Sequence, residues 1–119
     1  MVIVDTSVWI THLREGNSNL QELLLDGEVA CHPFIIGELA CGAIKNRNEI
    51  LSLLRSLPMA SVLTMEEFLY FIDRNKLMGM GVGFVDAHLL ASAQISGIPL
   101  WTFDKRLKSA AVKLDAAYK

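Results

Sequence analysis

Four carboxylates in otherwise apolar surroundings are the residues of this 119-residue chain best suited to chemistry. They are Asp5, Glu38, Asp86 and Asp104. Acidic side chains brought within a few ångströms of one another either raise each other's pKa or hold a cation. A site with oxygen ligands only favours magnesium or manganese over zinc. Two such ions can position a water as nucleophile and stabilise the leaving oxygen of a phosphodiester.

A simpler interpretation gives each carboxylate a structural role. Asp5 and Asp86 would cap predicted helices, and Glu38 would make a structural hydrogen bond. For any one of these residues taken alone, the structural role is the better explanation. For all four together we favour a shared cation site, chiefly because of Glu38.

The residues around Glu38 predict a helix over residues 33–44, which Pro33 begins because proline is tolerated at the first helical position. This helix is apolar on every face except at Glu38, and such a helix is normally buried in a core or an interface. An isolated ionised carboxylate there is costly unless it is paired or bound to a metal. The position of Glu38 therefore favours a cation.

The elements that position the carboxylates are predicted strands and helix starts. Residues 1–4 form a short, mostly β-branched run typical of a strand covered on both faces, and Asp5 follows it directly. Asp104 follows a second predicted strand, at residues 99–102, and Asp86 lies in the first turn of a helix over residues 84–96. Ligands of open α/β sheets bind outside the carboxyl ends of the strands.

The remaining pattern alternates strands with helices, which predicts an α/β fold with a mostly parallel sheet. Further strands are predicted at residues 29–31, 59–63 and, as an edge strand, 113–116. Further helices are predicted after the Thr6–Ser7 hydroxyl pair and over residues 20–25, 49–57, 65–78 and 105–112. We expect one domain spanning residues 1–119.

Hydroxyl and basic side chains near the carboxylates have weaker signals. Thr6 and Ser7 are predicted helix caps that could also hold Asp5 or a metal-bound water, and the Thr102 hydroxyl could face the same cleft. Four basic residues are by default ordinary surface charges, namely Lys45, Arg47, Lys105 and Arg106. The last two adjoin Asp104 and are the best placed to meet a phosphate.

Bulk composition narrows the class of protein. A formal charge of −2 gives no basic footprint for nucleic acid, and no apolar stretch reaches the roughly 18 residues of a membrane span. The first residues lack the pattern of a signal peptide. Cys31 and Cys41 are predicted to be buried thiols of a reduced, cytoplasmic chain. A hydrophobic content of 52% exceeds what a small monomer needs and suggests a partner surface.

Two other features of the sequence do not have the spacing that a binding site requires. The glycines at positions 79, 81 and 83 suggest a nucleotide loop, but they follow a helix and lack the spacing of the dinucleotide fingerprint. They more simply allow a tight turn. The three histidines share no metal-ligand spacing, and none is assigned to catalysis.

The acidic segments, taken together, resemble those of the PIN-domain nucleases, and most of all the VapC-type toxins of bacterial toxin–antitoxin pairs. The matching segments are VIVDTSVWI at the start, the lone Glu38, GFVDAHLLASA from Gly83 to Ala93, and LWTFDKRL from Leu100 to Leu107. The similarity extends over essentially the whole chain, in the family's order.

This resemblance implies a three-layer α/β/α domain with a parallel sheet of four or five strands. It implies a magnesium- or manganese-dependent endoribonuclease whose principal metal ligands are Asp5 and Asp86, with Glu38 and Asp104 completing the site. It also implies a homodimer that a small antitoxin holds inactive by covering the cleft, which fits the high apolar content.

Two alternatives have different functions. The first is a housekeeping RNA-processing nuclease that has no antitoxin. The second is a non-catalytic PIN scaffold that serves as an RNA-binding or interaction module. A missing acidic residue would have favoured the second alternative, and none is missing.

Overall fold

Three short parallel strands lie at the centre of the fold, and seven helices surround them. The structure is a computed structural model that describes residues 1–119. The strands are β1 (Val2–Val4), β2 (Val29–Ala30) and β3 (Leu100–Trp101). The helices are α1 (Thr6–Glu15), α2 (Ser18–Leu25), α3 (Pro33–Cys41), α4 (Arg47–Ser56), α5 (Met65–Asn75), α6 (Phe84–Ser96) and α7 (Lys105–Lys113). None of them combines the length and the apolar character that crossing a membrane requires.

The sheet is built around β1, which pairs in parallel with β2 on one side and β3 on the other. All three residues of β1 are buried. Because successive side chains of a strand point to opposite faces, this burial shows that both faces of the sheet are covered. The helices form two groups in contact, α1 with α3 and α4, and α5 with α6 and α7. The prediction of an α/β fold with a parallel sheet is confirmed.

The prediction of four to five strands is wrong, because the sheet has three. The predicted strand at residues 59–63 contributes only an isolated parallel bridge, Cys31 with Met59. The predicted strand at residues 113–116 ends one residue before a second isolated bridge, Leu100 with Ala117. Residues 59–63 have little strand to pair with, because β2 ends at Ala30 and His32 already caps α3. In the second segment α7 runs to Lys113, and Asp115 has a left-handed φ of +54°, which is incompatible with an extended strand.

Helix α3 also differs from its prediction. It ends at Cys41, and its buried residues are Ile35 and Leu39, which lie four positions apart on one face. Glu38 and Cys41 are exposed. The prediction of a helix buried on all sides, and of two buried cysteines, is therefore wrong: only Cys31 is buried. Phe34, Ile36 and Ala40 of α3 are only half-buried, so burial did not follow from composition alone.

The helices that carry the acidic residues are joined below the surface by His32. Its Nδ1 accepts the backbone N–H of Phe34 at 3.0 Å and so caps α3, while its Nε2 lies 3.1 Å from Oγ of Ser92 in α6. Ser92 itself donates to the Ser61 carbonyl at 2.6 Å, so Nε2 must carry the proton. Burial lowers the pKa of His32 to about 4, and the charge of His88 acts in the same direction. The link between α3 and α6 is thus neutral at pH 7.

Candidate active site

Asp5 lies at the end of the central strand β1, where it contacts both β3 and the start of α1. Its backbone N–H donates to the Trp101 carbonyl at 2.9 Å, which fixes it beside the end of β3. Its side chain caps α1, which begins at Thr6, so the prediction that Thr6 and Ser7 cap this helix is wrong. Asp5 is only 5% exposed.

The two carboxylate oxygens of Asp5 are used very differently. Oδ2 accepts from the Ser7 hydroxyl at 2.7 Å, the Thr102 hydroxyl at 2.8 Å and, more weakly, the Ser7 backbone N–H at 3.4 Å. Oδ1 accepts no hydrogen bond, and it is not among the buried atoms without a partner, so it reaches solvent. The hydroxyls therefore fix the carboxylate and leave one oxygen available to a ligand.

The same hydroxyls position the segment that carries Asp104. Ser7 Oγ accepts the backbone N–H of Phe103 at 3.0 Å, and Thr102 Oγ1 accepts that of Asp104 at 3.0 Å. Asp104 caps α7 by accepting the Leu107 N–H through Oδ1 at 2.9 Å. Its other oxygen makes no hydrogen bond. Residue types predicted that Ser7 and Thr102 could support the site, but a backbone group such as the Phe103 N–H has no signal in a sequence.

Glu38 reaches the site from α3. It is exposed, and its Oε1 accepts the Thr6 hydroxyl at 2.7 Å, so it lies beside the residue that follows Asp5. The argument that Glu38 is a buried charge in need of compensation is therefore wrong. Its placement next to the start of α1 nonetheless brings it to the end of β1.

Asp86 is the carboxylate whose environment is least favourable to negative charge. It is half-buried in the first turn of α6 and makes no hydrogen bond. Burial and the charges of the other three carboxylates of the set, first that of Asp5, together raise the pKa of Asp86 to about 6. All four acidic residues are therefore electrostatic neighbours.

No positive side chain neutralises this acidic set. The structure has a single ion pair, between the N-terminal ammonium and Glu28, and it involves none of the four residues. At the same time, no three acidic, histidine or cysteine side chains come close enough together to form a ready-made metal cluster. Mutual repulsion of uncompensated carboxylates is the physical reason to expect such spacing. Their free oxygens, with no nitrogen or sulfur ligand, suit a hard divalent cation.

The four basic residues considered as phosphate contacts are in different situations. Arg47 donates through Nη2 to the Ala40 carbonyl at 2.7 Å, so it satisfies the end of α3. Lys45, Lys105 and Arg106 are exposed and form no ion pair.

Of the histidines, His88 stacks on Phe68 with ring centroids 4.0 Å apart, and its Nδ1 is buried without a hydrogen-bonding partner.

Known proteins resemble this chain over nearly its whole length. The PIN domain family matches residues 2–113. Ribonuclease VapC32 of Mycobacterium tuberculosis, from strain CDC 1551 / Oshkosh and from strain ATCC 25618 / H37Rv, is 50% identical over 118 residues. That alignment covers 98% of this chain and 95% of the relative.

Two solved structures share the fold at lower identity. PAE2754 from Pyrobaculum aerophilum superposes with a TM-score of 0.65 at 18% identity, covering 98% of this chain and 87% of that one. A chain from the structure of FitAB bound to the IR36 DNA fragment superposes with a TM-score of 0.67 at 17% identity, covering 98% and 92%. At these identities the likeness concerns the fold alone.

Proposed function

This chain belongs to the PIN domain family and, within it, to the VapC-type ribonucleases, and from that premise we propose that it hydrolyses RNA with the help of divalent cations. It is the endoribonuclease toxin of a toxin–antitoxin pair. The observation that carries the metal requirement is the set of four neighbouring carboxylates without a positive partner.

In this proposal Asp5 and Asp86 are the principal ligands, and Glu38 and Asp104 complete the site. When bound, Mg²⁺ or Mn²⁺ supplies Lewis acidity and neutralises the negative charge of the phosphodiester. Asp5 presents Oδ1 because its other oxygen is occupied by hydroxyl donors. Ser7 and Thr102 keep that orientation, and Thr6 keeps Glu38 beside it.

The direct test is removal of the cation. Purified protein should cleave single-stranded RNA in the presence of Mg²⁺ or Mn²⁺. Excess EDTA should lower the cleavage rate at least about 100-fold, and adding either metal back should restore it. The cleaved ends should carry a 5′-phosphate and a 3′-hydroxyl. Equal cleavage with and without EDTA would contradict the metal mechanism, and no cleavage of any RNA would contradict the activity.

The partners follow from the same premise. We propose that a small antitoxin covers the acidic cleft, so that its coexpression restores growth to cells that express this chain. We also propose a homodimer. A candidate surface is the α5 face, which we define as Met65, Leu69, Tyr70 and the adjoining Ile95, each more than half exposed.

The charges that flank the α5 face favour a second copy as its occupant. Glu66 lies in the first turn of α5 and Arg74 in the last. A twofold axis that crosses two antiparallel α5 helices would place Glu66 of each copy against Arg74 of the other, as a self-complementary interface requires.

A charge exchange tests this interface. Glu66→Arg alone and Arg74→Glu alone should each weaken dimerisation about tenfold, because like charges then meet at two symmetric places. The double variant should restore it. Light scattering across a dilution series measures the effect. Additive weakening in the double variant, or a monomeric wild type, would contradict the proposed surface.

A further inference from the structure

The side chain of Arg106 lies against Gly81 in the glycine loop before α6. Gly79 and Gly81 both have φ of +77°, and Gly83 caps α6. A methyl group added to Gly81 would lie 3.0 Å from Cδ and 3.2 Å from Nη1 of Arg106, whereas one added to Gly79 or Gly83 would meet nothing within 4 Å. The absent side chain of Gly81 is therefore what lets Arg106 lie against the loop.

This contact places Arg106 between two segments that carry residues of the acidic set. Arg106 is two residues beyond Asp104, and the loop that it contacts leads directly to the helix that carries Asp86. Yet Arg106 forms no ion pair and donates no hydrogen bond. Its planar guanidinium keeps all five N–H donors free of protein acceptors, although Cδ, Nε and Nη1 all lie close to the loop at Gly81.

An exposed and unpaired guanidinium has the chemistry of a phosphate ligand. Its fork matches the oxygens of a phosphate in a bidentate way, and a stem that is already ordered loses less entropy on binding. The other basic candidates lack this combination, because Arg47 is bound to a carbonyl and the lysines offer no fork.

We infer that Arg106, packed against Gly81, binds a backbone phosphate of the RNA strand and so positions the scissile bond over the carboxylates. This inference rests on the proposed ribonuclease function. It assigns the glycine loop a role, since Gly81 then acts on the substrate only through Arg106.

The inference is tested first by cleavage kinetics on a short single-stranded RNA. Arg106→Ala should lower kcat/KM about 100-fold, mostly through KM, and Arg106→Lys about tenfold, because the charge remains and the fork does not. Gly81→Ala should lower it about tenfold in the wild-type background and less than twofold when Arg106 is already alanine. Equal losses in both backgrounds would contradict the coupling.

Gly79→Ala is the matched control for backbone strain. It imposes the same positive φ on an alanine but has open space around the added methyl group. It should cost less than a third of the kcat/KM loss of Gly81→Ala. Thermal unfolding checks that each variant folds, and Arg106→Ala should not be destabilised, because a cation in the first turn of α7 opposes the helix dipole. Equal losses in the two glycine variants would overturn the proposed contact.

A binding measurement separates this inference from the nuclease function. In metal-free Asp5→Asn protein, Arg106→Ala should reduce the salt dependence of RNA binding by about one counterion. Lys108→Ala should not, because it removes an exposed charge two positions along α7, on a different side of the helix. If the RNA is cleaved but neither kinetics nor salt dependence changes in Arg106→Ala, the inference fails and the function stands. If no RNA is cleaved but the salt dependence changes, the function fails and the phosphate contact stands.

Discussion

Replacing Asp5 by asparagine should abolish RNA cleavage while leaving the fold intact. The amide oxygen can take the place of Oδ2 and accept the same hydroxyl donors from Ser7 and Thr102. The amide nitrogen then replaces Oδ1, the oxygen that faces solvent, and an amide nitrogen does not bind Mg²⁺. We expect a loss of more than about 100-fold in kcat, beyond what residues that only support a ligand contribute.

Growth arrest and unfolding provide independent measurements of this variant. Cells that express Asp5→Asn should grow normally, and the purified variant should unfold within about 1 kcal/mol of the wild type. Asp26→Asn is the matched control, because it makes the same chemical change at an exposed residue outside the acidic set. Cleavage by Asp5→Asn at the wild-type rate would remove Asp5 from the proposed site.

Replacing Asp86 by asparagine should abolish cleavage and yet stabilise the metal-free protein. The folded state raises the pKa of Asp86 from 3.8 to about 6. Folding therefore favours the protonated carboxyl, and the resulting penalty on stability grows as pH rises from 3.8 to 6 and is constant above that. One pKa unit corresponds to about 1.4 kcal/mol, so after a discount for partial solvent exposure we expect a gain of about 2 kcal/mol at pH 7.5.

Urea unfolding with EDTA and with Mg²⁺ measures both effects of Asp86→Asn. Mg²⁺ should stabilise the wild type, because a ligand that binds only the folded state raises its stability, and should stabilise the variant much less. At pH 3.5 the two metal-free proteins should be equally stable, since the carboxyl is then protonated in both states. A variant that is less stable than the wild type at pH 7.5 without metal would contradict the environment inferred for Asp86.

Much of the scaffold could be predicted because its signals are local. Helix α6 begins and ends at the predicted residues. Thr64 and Glu67 have the spacing of a capping box, and they form one at the start of α5. Both depend on residues a few positions apart. The edge of the sheet depends instead on how long a neighbouring strand remains available, which a single segment does not show.

The four carboxylates of the candidate site could be chosen from the sequence, but the hydrogen bonds and contacts around them could not. Burial of Glu38 was inferred from the apolar composition of α3, whereas the structure exposes it and pairs it with Thr6. The different use of the two oxygens of Asp5 depends partly on a donor, Thr102, that lies 97 positions away in the chain. The contact of Arg106 with Gly81 likewise joins two segments that only the fold brings together.

In the proposed mechanism, the hydrogen bonds that orient Asp5 also affect when the enzyme becomes active during synthesis. The central strand and its aspartate are translated first, but the second partner strand and one of the two hydroxyls that orient that aspartate come from residues 100–102. A nascent chain that lacks these residues therefore has an aspartate held only by Ser7, beside a strand that can pair with β2 alone. In the mechanism proposed above, the ribosome that makes this ribonuclease is consequently exposed to a working enzyme only after almost the whole polypeptide has emerged from the exit tunnel.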